Sequence, residues 1–265
     1  MAARSDQKRE ARIVRSHDRD FVSSLEKGLQ LIEAFDVSQP RLTVAEAASR
    51  TNLTRAAARR YLLTLVALGY AETDGKFFSL SPRVLRLGYS YLSTASLPKI
   101  VQPILDRIGE KTKEVTSLAA LVDKEVIFLA RSSIRRMVAA TSNVGLRLPA
   151  YCSAAGRAVL ASRGEKEAME HLRNAKRERL TPNTKTRLED LMAELAQVRA
   201  QGYSISDEEL ELGLRSIAVP VADSRGEVHF ALAVSLLSAH MSTKGMVRDI
   251  LPHLISGKGE IESLL

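Results

Sequence analysis

Apolar positions recur along the first 113 residues mainly at steps of three and four, the helical period, and later mainly in short strand-like runs. Leu25, Leu29, Ile32 and Phe35 predict an amphipathic first helix, and Ser23 with Glu26 has the spacing of a capping box at its start. Thr43 with Glu46 repeats that spacing. The helix it opens would bury Val44, Ala47 and Ala48 and stop at the Arg50-Thr51-Asn52 turn. Thr54 caps a third helix whose stripe is Ala58, Tyr61, Leu62, Leu65 and Leu68, and Gly69 ends it. Tyr70–Glu72 and Phe77–Leu80 then flank Thr73-Asp74-Gly75-Lys76, and Asp-Gly between two strand-like runs signals a hairpin. Ser81-Pro82 opens another helix striped by Val84, Leu85, Gly88, Tyr91 and Leu92. Leu97-Pro98 opens a long one reaching about Lys113.

After that helix the pattern changes. Val115–Val122, Val126–Arg131, Met137–Thr141, Leu214–Val221 and Val228–Leu236 read as strands, the first two joined at Asp123-Lys124 and the last two at Asp223–Gly226. Tyr151–Ser162 reads as a loop entering a helix. Helices are expected at Glu165–Arg173 and Thr184–Gln201, the second after a turn at Thr181-Pro182-Asn183. A last one starts near Lys244 and is interrupted at Pro252. Neighbouring strand pairs with helices outside them predict an antiparallel sheet covered by helices, an α+β domain. The divisions expected are an arm at 1–20, a helical module with a hairpin at 21–81, a linker helix at 82–96 and the sheet domain at 97–265.

Two short capped helices joined by a tight turn, the second basic near its start, form the plan of a helix-turn-helix, and the hairpin directly after them is a wing. Arg55, Arg59 and Arg60 lie opposite the apolar stripe, beside the small Ala56. Three arginines alone would describe a solvated face; the capped pair and the wing turn the reading toward DNA. Thr43, Thr54 and the wing-tip Lys76 complete the candidate interface.

Charge supports this. The chain has 265 residues and a net charge of +8, and residues 1–91 hold 15 Lys+Arg against 10 Asp+Glu. The smaller module therefore carries the higher positive charge density, as a nucleic-acid module should. The first 20 residues, with six basic and four acidic side chains, suit either a phosphate-touching arm or a plain tail. They lack the apolar core of a secretory signal. A single cysteine, Cys152, rules out an internal disulfide framework and fits a reducing cytosol. No apolar stretch is long enough for a membrane span.

Enzyme motifs are largely missing: no G-x-S-x-G, P-loop, G-x-G-x-x-G or H-E-x-x-H occurs. The histidines at 17, 171, 229, 240 and 253 have no metal-ligand spacing, so neither metal nor cofactor is expected. Asp207, Glu208, Glu209 and Glu211 read as a solvated loop, with a metal or acid–base role as the sharper alternative. Cys152 is either a buried small residue or, given a nearby base, a nucleophile. Tyr151-Cys152-Ser153-Ala154-Ala155-Gly156-Arg157 places a cap, Ser153, before three residues with little or no side chain. Such a helix start can offer bare N–H groups to a carboxylate, or can simply let the helix cross a sheet closely.

SLEKGLQLIEAF…LTVAEAASRTNLTRAAARRYLLTLVALGYAE, L-T-P-N-T, V-R-A-Q-G-Y-S and E-L-E-L-G-L-R-S-I-A-V-P-V together resemble the IclR family of bacterial transcriptional regulators, from about Phe21 onward. R-L-P-A-Y-C-S-A-A-G-R-A-V-L-A and L-E-L-G-L-R-S-I-A-V-P look like its branch regulating protocatechuate and 4-hydroxybenzoate catabolism. The resemblance implies a winged helix-turn-helix, a linker helix and a GAF-like effector domain, assembled as a homodimer or dimer of dimers in the cytoplasm. It implies double-stranded operator DNA as one partner and a small carboxylate, bound without turnover, as the other. Matching the pocket residue by residue points to the backbone at Ala154 and Ala155 and to the side chains of Ser216 and Ser235. Ser153, Leu118 and Met137 are expected beside them. Ser206 stands where some members carry an acid and Tyr151 where many carry histidine, departures from members that bind small keto acids. The Tyr151 ring would favour an aromatic acid, with β-ketoadipate next.

Two functional classes follow. One is a ligand-responsive DNA-binding regulator. The other is a binding protein or enzyme whose N-terminal helices serve only for assembly. Retention on promoter DNA and turnover of a candidate ligand separate them.

Overall fold

A computed structural model describes residues 20–36, 38–132 and 144–265, which fall into two units divided after Tyr91. The first unit contains helices α1 (Ser23–Glu33), α2 (Val44–Thr51) and α3 (Arg55–Ala67), with strands β1 (Arg41–Leu42), β2 (Ala71–Thr73) and β3 (Phe78–Leu80). Helix α4 (Leu85–Thr94) follows a single 3-10 turn, Pro82–Val84, capped by Ser81. Leu31, Leu42, Ala47, Leu62, Leu65, Ala71 and Phe78 form its core.

Local chemistry fixes most of these elements. The N–H of Glu46 bonds to Thr43 Oγ1 at 3.3 Å and the N–H of Thr43 to Glu46 Oε2 at 2.8 Å, so both halves of the α2 capping box form. A cap of this kind contributes about 1 kcal/mol. Asn52, with φ 54°, turns the chain out of α2, and Gly69, with φ 77°, out of α3. Asp74 Oδ1 accepts the N–H groups of Lys76 and Phe77 at 3.0 and 2.8 Å, which shapes the tip of the wing. The wing is also broader than the sequence suggests, because β1 pairs with β3 and makes a three-stranded sheet in the order β1-β3-β2.

Three expectations fail in this unit. Ser23 makes no capping box: Val22 occupies the cap and Ser23 is already helical. Leu25 and Leu29 are exposed, since the buried side of α1 is centred on Leu31, with Ile32 and Phe35 partly covered. Leu68 is exposed beyond the last turn of α3.

The second unit is built on a six-stranded antiparallel sheet in the order β6-β5-β4-β9-β8-β7. Its strands are β4 (Val115–Val122), β5 (Glu125–Arg131), β6 (Arg147–Pro149), β7 (Ser204–Asp207), β8 (Leu214–Ala222) and β9 (Val228–Leu237). The period of two gives the faces different characters. Leu118, Ile217, Val219, Leu232 and Val234 point to one side, where α5 (Leu97–Thr112), α9 (Thr243–Asp249) and α10 (Leu251–Glu262) cover them. Ala119, Ala218, Ala231 and Ala233 point to the other, where α6 (Ala154–Ser162) lies close through Ala154, Ala155 and Ala158. Helices α7 (Glu165–Asn174) and α8 (Leu188–Gln201) pack outside α6.

Helix α8 begins four residues later than expected, since Thr184 is held in a turn in which its N–H bonds to Thr181 O at 3.2 Å. The short edge strands β6 and β7 are absent from the sequence reading, and the Met137–Thr141 strand lies outside the described residues. No helix among the described residues is long and apolar enough to cross a membrane.

Candidate functional site

On the first unit, Arg55, Ala56, Arg59 and Arg60 are exposed along α3, and Lys76 is exposed at the wing tip beside the Phe77 ring. None of the four cations forms an ion pair among the described residues. Thr43 and Thr54 occupy the expected places but are committed to helix ends. Thr43 Oγ1 donates to Glu46 Oε2 at 2.7 Å, and Thr54 Oγ1 accepts from Ala57 N at 3.2 Å. They hold the two helices rather than project from them. From the neighbouring strand β1, Arg41 reaches the same tip, pairing with Asp74 and lying over Phe77. Hydrogen bonds from the N–H groups of Phe77 and Lys76 hold the Asp74 carboxyl below its usual range, with Arg41 assisting.

On the second unit, a cavity of about 290 Å³ opens between α6 and the alanine-lined face of the sheet. Ser153, Ala154, Ala155, Ser216 and Ser235, all singled out from sequence, lie together in its wall. Ser153 Oγ accepts the N–H of Gly156 at 3.1 Å. Helical geometry leaves the N–H groups of Ala154 and Ala155 without an intrahelical acceptor. Glycine is required at 156 because a Cβ there would lie 2.3 Å from Ala150 O. That contact holds the start of α6 against the preceding 3-10 turn, Ala150–Cys152. On the sheet, Ser216 and Ser235 are direct cross-strand partners, their hydroxyls 3.1 Å apart.

The cavity also has walls that the sequence did not disclose: Ser117, Val126, Phe128, Arg131, Leu148 and Leu214 among them. Arg131 reaches it through a bulge. Ala130 pairs with Leu118 and Phe128 with Ala119, so Leu129 is an extra residue in β5. Simple alternation from Phe128 would place Ala130 on the cavity side; the bulge puts Arg131 there instead, opposite Ser117. Burial draws the guanidinium pKa of Arg131 below its usual value.

Several expected residues lie elsewhere. Leu118 faces the opposite side of the sheet, in the core with α5 and α10. Met137 lies outside the described residues. Tyr151 is buried against α6–α8, and its hydroxyl donates to Glu178 O, so its ring does not line the cavity. Ser206 Oγ bonds to Cys152 O at 2.9 Å, behind the cavity wall. Cys152 is fully buried, and burial pushes its thiol up to about 12, which leaves it without the thiolate a nucleophile needs.

The acidic cluster is not a solvated loop either. Glu209 is buried and receives both terminal nitrogens of Arg157, at 2.5 and 2.6 Å, while Arg157 Nε bonds to Tyr151 O at 2.8 Å. Glu209 Oε2 also accepts the N–H of Lys185 at 3.0 Å, and Thr184 Oγ1 donates to Glu209 O at 2.7 Å. Asp207 pairs with Arg215, and Glu208 accepts the N–H of Gly213. Of the four acids, Glu211 alone lines the cavity. Arg157 therefore anchors the β7–β8 loop, which supplies Leu210 and Glu211 to the cavity and leads into Leu214 of β8, to the helix whose N–H groups face it. No group of three His, Cys, Asp or Glu among the described residues could hold a metal ion.

The family model for the bacterial transcriptional regulator IclR C-terminal domain matches residues 89–256, and that for the IclR helix-turn-helix domain matches residues 24–75. The chain belongs to the IclR family. It is thus a DNA-binding transcriptional regulator rather than an enzyme, with a winged helix-turn-helix unit and an IclR-type C-terminal domain. It is similar to the Pca regulon regulatory protein of Pseudomonas putida, 41% identical over 92% of this chain and 84% of that protein. It is also similar to the p-hydroxybenzoate hydroxylase transcriptional activator of Acinetobacter baylyi, 37% identical over 93% of both chains. Among solved structures, the inducer-binding domain of a PobR double mutant from Acinetobacter, in complex with 3-hydroxybenzoic acid, matches with a TM-score of 0.61 and 30% identity. That match covers 64% of this chain and all of the other. These similarities support the branch that the R-L-P-A-Y-C-S and L-E-L-G-L-R-S segments suggested.

Proposed function

We propose that this IclR-family regulator responds to a small aromatic acid, of the hydroxybenzoate class, held in the cavity between α6 and the sheet. The observation that carries the reading is the convergence of two N–H groups at the start of α6 with paired hydroxyls on β8 and β9 in one largely apolar cavity. Small-ligand sites have this composition, a few placed polar groups in apolar walls. The carboxylate takes the N–H groups of Ala154 and Ala155, where no long side chain blocks approach. Ser216 and Ser235 meet a ring hydroxyl, Phe128 and Leu148 cover the ring, and the Arg131 guanidinium offsets the ligand's charge. The activator from Acinetobacter baylyi and the 3-hydroxybenzoic acid complex support the choice of ligand class.

On the other unit, Arg55, Ala56, Arg59 and Arg60 of α3 enter a major groove of the operator and Lys76 touches its backbone. The regulator acts in the cytoplasm as a homodimer or a dimer of dimers. This is supported by Leu85, Leu87, Tyr89 and Tyr91 of α4, which a single chain leaves exposed. Two modules then read half-sites spaced by whole helical turns, roughly 10–10.5 base pairs each. The ligand changes operator affinity only as far as it favours one arrangement of the DNA-binding units over another.

The test is a thermal-shift screen of 3-hydroxybenzoate, 4-hydroxybenzoate, protocatechuate, β-ketoadipate, glyoxylate and pyruvate, followed by operator titration with and without the best ligand. A ligand at 100 times its dissociation constant is expected to stabilise the folded chain by about 2.7 kcal/mol. Stabilisation by a small keto acid and by no aromatic acid overturns the ligand class. Unchanged operator affinity at saturating ligand overturns the regulatory role.

A further inference from the structure

Arg60 stands apart from the other two arginines of α3. With Lys27 it lines a notch of about 370 Å³ between α1 and α3, whose remaining walls are Ser24, Ala57, Tyr61 and Thr64. On α3 the lining residues are spaced by three and four, so they share one face. Two cations thus converge on a single concavity that no carboxylate lines. The acids of α1, Glu26 and Glu33, are not in its wall, and Glu26 accepts instead from Gln30. Bringing two like charges together costs free energy that a bound anion returns.

The remaining chemistry suits a small anion with several acceptor oxygens. Thr64 Oγ1 donates to Arg60 O at 2.8 Å and is used within the helix. Ser24 and Tyr61 line the notch, and each carries a hydroxyl that can donate. Ala57 has only a methyl group there, which leaves the space open. Helix α1 begins with no side-chain cap at Val22; the Leu25 N–H bonds to Val22 O at 2.9 Å, and the N–H groups of Ser23 and Ser24 are left without a helical acceptor.

We propose that this notch takes one backbone phosphate of the operator duplex, neutralised by Lys27 and Arg60 and hydrogen-bonded by Ser24 and Tyr61. The inference rests on the assignment of α3 as the recognition helix. It changes the role of Arg60, which positions the helix along the duplex and reads no base. Phosphate contacts set register and orientation, whereas base edges carry sequence.

The experiment measures binding of the full chain to two duplexes over a range of salt concentrations. One is the duplex that the wild-type protein selects from a randomised pool; the other is an unrelated sequence of equal length. The double variant Lys27→Ala, Arg60→Ala is expected to weaken both by the same factor. The slope of log K against log[salt] should shrink by about 0.9, the loss of one neutralised phosphate. Ser24→Glu puts a carboxylate into the notch while keeping both cations, and it too should weaken both duplexes equally. The exchange Lys27→Arg should keep the wild-type slope. Two results would overturn the proposal: loss of preference for the selected duplex at unchanged slope, or wild-type binding of both duplexes by both the double variant and Ser24→Glu. Failure of the wild-type chain to prefer any duplex would instead count against α3 as a reader of sequence.

Discussion

Arg131 stands directly opposite Ser117 on the cavity side of the sheet, because β5 carries one extra residue at Leu129. Without the bulge the guanidinium would fall among the large apolar residues of the other face. Its position predicts a role in charge. Arg131→Gln should weaken a hydroxybenzoate by about 1.5–3 kcal/mol, the range for a charge-assisted bond. The uncharged benzamide analogue should be little affected. Calorimetry on the two ligands decides, and an equal loss for both would show that the side chain acts by shape alone.

Arg157 and Glu209 form a buried pair in which both terminal guanidinium nitrogens are engaged. Removing a partner that leaves a buried charge unpaired typically costs about 3–5 kcal/mol. After loss of Glu209 the nearest carboxylate to Arg157 is Glu194, 3.9 Å away, which sets that range as an upper bound. Glu209→Ala should therefore lower stability by up to that amount in chemical denaturation. The double variant Arg157→Leu, Glu209→Leu should recover part of it. Because the β7–β8 loop supplies Leu210 and Glu211 to the cavity, Glu209→Ala should also loosen ligand binding in protein that remains folded.

Cys152 gives a test in pH. Burial raises its pKa to about 12, above the ordinary thiol value, so the unfolded chain gives up this proton first. The stabilising contribution is complete below the unfolded pKa and is lost as pH rises toward the folded value. The stability difference between wild type and Cys152→Ala should be constant near neutrality. Above pH about 9 it should shift against wild type by up to about 1.4 kcal/mol per pH unit. A constant difference through that range would mean that the thiol ionises in the folded protein as readily as in the unfolded one.

Arg55 and Arg59 lie on the flank of α3 away from the Lys27 notch and are the candidates for base reading. Replacing an arginine that reads guanine costs about 1–3 kcal/mol and relaxes one position of the site. Reselection from a randomised pool with Arg55→Ala and Arg59→Ala should show a degenerate position in at least one case. Parental consensus and affinity in both would place sequence readout elsewhere.

What the sequence disclosed follows the range of each interaction. The Thr43–Glu46 box, the Thr54 cap, Gly69 and the Asp74-Gly75 turn are each set within a few residues and were legible. The Ser23–Glu26 spacing looked the same, yet Val22 took the cap, since α1 takes its phase from packing through Leu31. Strands β6 and β7 are short edge segments that exist through pairing with β5 and β8, and no local pattern announces them. Leu118 was expected on the wrong side of the sheet, although its alternation with Ser117 and Ala119 could have corrected this. The Leu129 bulge, by contrast, leaves no such trace. Glu209 looked solvated because its partner lies 52 residues away. Ser153, Ala154 and Ala155 were legible as a cap followed by small residues, while their meeting with Ser216 and Ser235 depends on the sheet.

Calorimetric titration of 4-hydroxybenzoate into wild type and into Ala155→Leu tests the effector site most directly. Ala155 lines the cavity, and a leucine there would fill the space where the carboxylate meets the α6 N–H groups. Saturable binding to wild type and none to a cooperatively folded Ala155→Leu protein is the result expected. Equal affinity in the two proteins would contradict the site.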